Sequence, residues 1–135
     1  MRYLLDTSIV SELRLVSPNP GVADWWATVD QQNLHLSVIT FGEVRKGIER
    51  IRPRDEITAG DLDLWLEGLE RAFSSRIEAV DVEIAQAWGR LRAARRVPGI
   101  DTLLAATALV RGWTLVTRNV RDVEQTGCLL LNPFT

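Results

Sequence analysis

The chain has 135 residues, which fits one domain, residues 1–135, with a core large enough to need no disulfide or zinc site for stability. Apolar residues make up 46% and charged residues 25%, and no apolar run approaches the roughly 20 residues that span a bilayer. A net charge of −2 argues against a strong nonspecific grip on nucleic acid, and a single cysteine, Cys128, excludes an intramolecular disulfide. These features, with no signal-peptide pattern, predict a cytoplasmic protein.

The first half of the chain alternates predicted strands with predicted helices. The apolar run 3–5 predicts a central strand, and the Asp6-Thr7-Ser8 sequence after it favours a turn or a helix cap. The next predicted elements are a short helix over 9–13, an amphipathic helix carrying Val22, Trp25, Trp26 and Val29, and a strand over 34–38. Thr40 and Glu43 have capping-box spacing, which predicts a helix that starts there and runs to about Arg50.

The second half continues the alternation. A helix is predicted over 60–73 and a strand over 77–80, after which Asp81 is a candidate cap for a helix that ends at Pro98 and Gly99. Residues 100–110 are apolar almost all round, which predicts a buried helix closed by Gly112. The last two predicted strands are 114–117 and 129–131.

The order of these elements predicts an α/β domain with a five-stranded, mostly parallel sheet flanked by helices on both faces. The predicted strands are continuous apolar runs, which is typical of strands buried on both faces. Ligands of open parallel sheets bind beyond the carboxyl ends of the strands. That edge is therefore where we expect a functional site.

Four acidic residues map to this edge. Asp6 directly follows the first strand, and Glu43 lies in the first turn of the helix predicted after the second strand. Asp101 begins the buried helix that leads to the fourth strand, and Asp122 comes shortly after that strand. Each acid alone has a structural alternative, because an Asx turn, a capping box, a helix macrodipole or a solvated surface would explain it.

Taken together, the four acids suggest a metal site. Clustered carboxylates repel one another unless a cation offsets them, and oxygen ligands favour Mg²⁺ or Mn²⁺ over zinc. The nearest cationic residue is Arg118, and the only histidine, His35, lies in a strand pattern that indicates packing rather than ligation. A zinc site and a nucleophilic triad both lack suitable residues. A divalent ion held by carboxylates can activate a water and stabilise charge on a phosphate during an in-line displacement.

Four segments carry these acids, in order, along nearly the whole chain: 4–13 (LLDTSIVSEL), 37–44 (SVITFGEV), 100–106 (IDTLLAA) and 115–122 (LVTRNVRD). They resemble the four motifs of PIN-domain proteins, in particular the VapC-type toxins of bacterial toxin–antitoxin pairs and their FitB-like branch. One departure is Val123, which stands where Phe often follows the fourth acid, and it affects packing more than ligation.

The resemblance implies a metal-dependent ribonuclease, the toxin of a type II toxin–antitoxin system, that cuts RNA with Mg²⁺ or Mn²⁺. It also implies a homodimer and a cognate VapB-like antitoxin that holds the enzyme inactive. Asp6, Glu43 and Asp101 carry over as primary metal ligands, and Asp122 carries over as the fourth acid, which often acts through water. The supporting residues that the resemblance implies are Thr7, Ser8, Thr117 and Asn119.

Arginine-rich segments near the acids are candidates for the surface that binds RNA. Only Lys46 of the 16 basic residues is a lysine, and the planar guanidinium of arginine suits phosphate. We predict that Arg92, Arg96 and Lys46 contact RNA. The alternative is a solvated helix face with ordinary ion pairs four residues apart.

Three other classes of protein place acids at the ends of parallel strands or keep such a fold. A receiver-like signalling domain needs a lysine at a strand end, and the sequence Thr117-Arg118-Asn119 offers none. A phosphatase of the haloacid-dehalogenase type would usually have a second Asp where Ser8 stands. A noncatalytic PIN-fold binding module remains open, although the complete set of acids argues against it.

Overall fold

In the computed structural model of the chain, residues 1–94 and 99–135 are described. The strands are β1 Tyr3–Leu5, β2 Leu34–Ser37, β3 Ile77–Glu78, β4 Thr114–Val116 and β5 Leu129–Leu131. The helices in these residues are α1 Thr7–Leu13, α2 Pro20–Thr28, α3 Val38–Ile51, α4 Glu56–Ala72, α5 Val82–Ala94, α6 Gly99–Arg111 and α7 Val120–Val123. Two short 3-10 turns, Gln31–Asn33 and Glu124–Thr126, complete the regular structure of these residues.

The strands form one parallel sheet in the order β3-β2-β1-β4-β5. β1 is the central strand, and its residue Tyr3 lies opposite Leu34 of β2 on one side and Thr114 of β4 on the other. Because all strands are parallel, their carboxyl ends share one edge of the sheet. The predicted five-stranded sheet is confirmed.

Helices cover both faces of the sheet because the side chains of β1 alternate between them. Leu4 packs with α6 residues such as Leu104, whereas Leu5 packs with Ile9 and Val10 of α1. All of these side chains are buried. The side chains of α3 and α4 meet in a smaller cluster around Ile48, Ala59 and Leu66. Each face of the sheet therefore has its own apolar layer, as the α/β prediction requires.

The predicted start of α3 is wrong. We expected a strand over 34–38 and a capping box at Thr40, but the strand ends at Ser37 and the helix begins at Val38. The hydroxyl of Ser37 accepts a hydrogen bond from the Ile39 backbone N–H at 3.1 Å, so Ser37 is the cap. Thr40 is buried inside the helix, and Glu43 lies in its second turn rather than its first.

Further boundaries differ from the predictions. α4 starts at Glu56, with Asp55 as its cap, and Gly60 lies inside it. The strands β3 and β4 are shorter than predicted, ending at Glu78 and Val116. The short helix α7 was not predicted, and the proposed helix stop at Pro98 lies outside the described residues. Asp81 caps α5 as predicted, accepting from the Ile84 backbone N–H at 2.9 Å.

Within residues 1–94 and 99–135 the helices are too short or too polar for any of them to traverse a lipid bilayer.

Candidate active site

Asp6 is the most enclosed of the four acids, with only 4% of its surface exposed. It directly follows β1, and its backbone N–H donates to the Val116 carbonyl at 2.9 Å, which ties it to β4. Its Oδ2 atom accepts hydrogen bonds from the hydroxyls of Ser8 at 2.6 Å and Thr117 at 2.8 Å. In the described residues its Oδ1 atom accepts no hydrogen bond, so this oxygen is left for another partner.

The pKa of Asp101 reflects the electrostatics of the site. Its pKa is raised from the usual 3.8 to about 6. The largest cause is burial of the carboxyl group, and the rest comes from the negative charges of Asp6, Asp122 and Glu43, in that order. The four acids therefore lie close enough to repel one another, as their common place at the sheet edge predicts.

Glu43 stands on α3 beside a charged neighbour. Its Oε2 atom forms an ion pair with Lys46 Nζ at 3.1 Å, one turn further along the helix. Glu43 also lines a cleft of about 160 Å³ together with Thr7, whose buried hydroxyl has no hydrogen-bond partner in the described residues. An unpartnered hydroxyl in a buried position is uncommon, and it leaves a polar atom free to face a ligand.

Asp122 lies in the first turn of α7 and is exposed. The loop before it is fixed to the rest of the site, because the Asn119 backbone N–H donates to the Thr117 hydroxyl at 3.0 Å. The Asn119 side chain does not cap α7. The structure thus joins three of the four predicted supporting residues, Ser8, Thr117 and Asn119, through hydrogen bonds around Asp6.

The residues at this edge fit a hard divalent cation. Their donors are carboxylate and hydroxyl oxygens, which Mg²⁺ and Mn²⁺ prefer, and the raised pKa of Asp101 indicates negative charge that a cation would offset. Between residues 1 and 94 and from 99 onward, no three acidic, histidine or cysteine side chains already stand close enough to enclose an ion. The side chains would therefore have to close on an ion as it binds.

The residues predicted to contact RNA differ in their surroundings. Lys46 is half exposed but paired with Glu43. Arg92 is exposed, and its guanidinium carbon lies 5.8 Å from the centre of the Trp88 ring. Arg96 lies outside the described residues. Their contact with RNA stays a prediction.

His35 is a packing residue, as predicted. Its ring stacks on Trp113 with 4.1 Å between the ring centres and an angle of 16° between the planes. Burial, followed by the nearby positive charge of Arg2, lowers the pKa of His35 below its usual 6.5. Cys128 is buried as well, and burial raises the pKa of its thiol.

A large cavity lies apart from the acids. It is an apolar groove of about 390 Å³ between α1, α2 and α4, and none of the four acids lines it. Its lining includes Trp26, Trp65 and Phe73. The groove has the chemistry of a docking surface for an apolar segment rather than that of a catalytic pocket.

Comparisons with known proteins agree on one family. A family model described as PIN domain matches residues 3–126. The chain is 32% identical to plasmid stability protein StbB of Pseudomonas syringae pv. tomato over 97% of both chains, and 29% identical to VapC ribonuclease Y4jK of Sinorhizobium fredii over 97% of this chain and 96% of that protein. The crystal structure of FitAcB from Neisseria gonorrhoeae superposes with a TM-score of 0.88, at 26% identity over 97% of both chains. Another solved structure with a similar fold is a toxin–antitoxin complex from Klebsiella pneumoniae, with a TM-score of 0.71 at 22% identity over 98% of both chains.

Proposed function

The chain belongs to the PIN-domain family, and from this premise we propose that it is a metal-dependent endoribonuclease, the toxin of a type II toxin–antitoxin pair. The observation that supports this activity is the group of four acids at one sheet edge, whose mutual repulsion contributes to the raised pKa of Asp101. The name of a relative, VapC ribonuclease Y4jK, favours RNA as the substrate.

In this proposal Asp6, Glu43 and Asp101 hold Mg²⁺ or Mn²⁺, and Asp122 stands beside them as the fourth acid. When bound, the ion supplies stabilisation of negative charge on a phosphate and lowers the pKa of an attacking water. Although the net charge of the chain is only −2, these four carboxylates concentrate enough negative charge in one place to bind a divalent cation.

The surrounding hydroxyls have a positioning role. Ser8 and Thr117 donate to the same oxygen of Asp6, and these two bonds fix the orientation of the carboxylate. The Asn119 backbone N–H in turn holds the Thr117 hydroxyl. Groups that orient a ligand in this way commonly change metal affinity by about 10- to 100-fold when they are removed.

We propose three further properties that follow from the family. The chain forms a homodimer, it is bound by a VapB-like antitoxin, and it acts in the cytoplasm. The apolar groove between α1, α2 and α4 supports the antitoxin, because an exposed groove lined by aromatic side chains suits an apolar segment of a partner. Exposed apolar residues beside Glu43, namely Val38 and Ile100, support contact with a second copy.

The activity is tested with Asp6→Asn against a panel of RNAs in Mn²⁺. We expect the unchanged chain to degrade at least one RNA and the variant to lose cleavage by about 1,000-fold or more, because a ligand of the ion is lost. Asp24→Asn is the matched control, since Asp24 is an exposed acid on α2. Undiminished cleavage by Asp6→Asn, or in excess EDTA, would overturn the proposal. Hydrolysis of a small phosphate ester instead of RNA would favour a phosphatase.

A further inference from the structure

Arg118 lies immediately beside the hydrogen bonds that hold Asp6. Its backbone N–H donates to the Ser8 hydroxyl at 3.3 Å, and Ser8 donates to Asp6. The preceding residue, Thr117, donates to Asp6 directly. The Arg118 side chain is exposed, and over residues 1–94 and 99–135 no carboxylate lies within ion-pair distance of it. The backbone of Arg118 therefore lies beside the site, and its side chain carries a positive charge that has no acidic partner in the described residues.

The guanidinium of Arg118 is held in place by an aromatic ring. Its central carbon lies 4.6 Å from the centre of the Phe134 ring, which is the geometry of a cation–π contact. Phe134 is partly buried against the apolar cluster that contains Leu5 and Ile9. The ring packs on this cluster and Arg118 lies over it, so Phe134 offers no free face on which a base could stack. The contact leaves the N–H groups at the guanidinium edge available to an acceptor.

The C-terminal segment, residues 132–135, is fastened to the start of α2. The Thr135 backbone N–H donates to Asn19 Oδ1 at 3.1 Å, and Asn19 Nδ2 donates to the Thr135 carbonyl at 3.1 Å. A Cβ atom on Gly21 would overlap the Pro133 carbonyl and lie 2.6 Å from the Thr135 Cγ2 atom. The backbone of α2 approaches the segment so closely that only glycine fits at position 21, which means that the segment has one defined place.

We propose that Arg118, positioned by Phe134 and the C-terminal segment, binds a phosphate of the RNA next to the phosphate that is cleaved. This inference rests on the proposed ribonuclease function. The four acids carry more negative charge than one divalent ion offsets, so a further cation beside them favours binding of RNA. Arg118 suits this role because its planar fork matches phosphate and because it has no competing carboxylate. Lys46, also near the acids, is already paired with Glu43.

RNA binding is measured with proteins that all carry Asp6→Asn, so that the RNA stays intact. The probe is a fluorescent single-stranded RNA whose anisotropy is followed over a range of salt concentrations. Adding Arg118→Ala should raise the Kd by about 10-fold. It should also flatten the slope of log K against log salt by about 0.7, the value for one phosphate contact on a single strand. Arg118→Lys should recover part of the affinity.

Arg54→Ala is the matched control, because Arg54 is exposed and has no ion pair in the described residues. It should leave both the Kd and the salt slope near the parent values. Equal effects of Arg118→Ala and Arg54→Ala would overturn the inference. An unchanged salt slope with Arg118→Ala would overturn it too, since loss of packing alone does not remove a phosphate contact.

Gly21→Ala tests the segment without touching Arg118 or Phe134. Displacing the segment should weaken RNA binding by a smaller factor than Arg118→Ala, and should add nothing in the Arg118→Ala background. Gly89→Ala is its control, because a Cβ at that helical position meets nothing within 4 Å. Additive effects of Gly21→Ala and Arg118→Ala would show that the segment acts independently of Arg118. If Gly21→Ala fails to fold, Phe134→Leu replaces it.

The test separates failure of this inference from failure of the proposed function. If the Asp6→Asn parent binds no RNA and the unchanged chain cleaves none, both the proposed function and the inference are overturned. RNA that is cleaved and bound with no dependence on Arg118 would remove only the inference.

Discussion

Replacing Asp101 by Asn should remove RNA cleavage and, at neutral pH without metal, make the protein more stable. The raised pKa of Asp101 means that its ionised form is disfavoured in the folded protein. Asparagine keeps the size of the side chain and removes the charge. The charge of Asp101 therefore lowers the stability of the metal-free protein, although the proposed function needs that charge to bind the ion.

The magnitude follows from the pKa. A rise from 3.8 to about 6 corresponds to about 3 kcal/mol at about 1.36 kcal/mol per pKa unit. Asp101 is only partly buried, and its place in the first turn of α6 gives the negative charge some favourable interaction with the helix, so we expect about 1–2 kcal/mol. For a chain of this length that is about 3–8 °C in Tm.

The pH dependence gives the sign of the effect. Below the usual pKa of 3.8 the carboxyl is protonated in both the folded and the unfolded chain, so the variant gains nothing. Between that value and about 6 the folded chain keeps a proton that the unfolded chain releases, and the stability of the unchanged protein falls as pH rises. Above about 6 the difference between variant and parent reaches its full size.

Urea unfolding in EDTA, at pH values on both sides of this window, measures the effect. Glu83→Gln is the control, because Glu83 is an exposed acid that also lies in the first turn of a helix, α5. Mg²⁺ should reverse the order by stabilising the parent and not the variant. An Asp101→Asn protein that is less stable than the parent at pH 7 in EDTA, or a difference that does not change with pH, would refute the reasoning.

Two further predictions concern single side chains. Thr117→Val removes a hydrogen bond to Asp6 from a residue that is 2% exposed, so cleavage should need about 10- to 100-fold more Mn²⁺, and saturating metal should restore it. A titration of cleavage against Mn²⁺ measures this, with Thr114→Val on β4 as the control. A titration curve that Thr117→Val leaves unchanged would contradict the prediction. His35→Phe keeps the stack on Trp113 but removes a group whose pKa is lowered by burial. The parent should lose stability as pH falls through about 6.5, and the variant should not. Urea unfolding at about pH 7 and about pH 5 that shows the same change in stability for both proteins would count against the prediction.

Much of the fold was predictable because parallel strands buried on both faces read as apolar runs. The bounds of β1 and β5 match the predicted runs, and Asp6 and Asp101 lie at the predicted edge of the sheet. The start of α3 was not predictable from sequence, because Ser37 and Thr40 are both residue types that cap helices well. Ser37 is the cap because β2 is still paired with β3 at that residue, Ser37 lying opposite Glu78, and the chain turns into the helix directly after it.

The parts of the site that sequence did not reveal depend on distant contacts. α7 has four residues, too few to show a helical period. The contact of Arg118 with Phe134 and the bonds of Asn19 to Thr135 join residues that no local pattern relates. A useful sign was present, however, since the polar pair Ser8 and Thr117 lies next to the acid-bearing strand ends. The pKa of Asp101 needs the positions of three other acids and its own burial, neither of which spacing supplies.

The central place of β1 makes assembly of the site a late event in the life of the chain. Asp6 is among the first residues to be synthesised, yet its hydrogen-bond partner Thr117 stands 111 positions later. A nascent chain that has not yet released β4 from the ribosome lacks both the neighbour of β1 and one of the two hydroxyls that orient Asp6. The chain therefore cannot complete its site until β4 has joined β1. Its parallel topology, which closes long loops before it forms contacts, lengthens that interval.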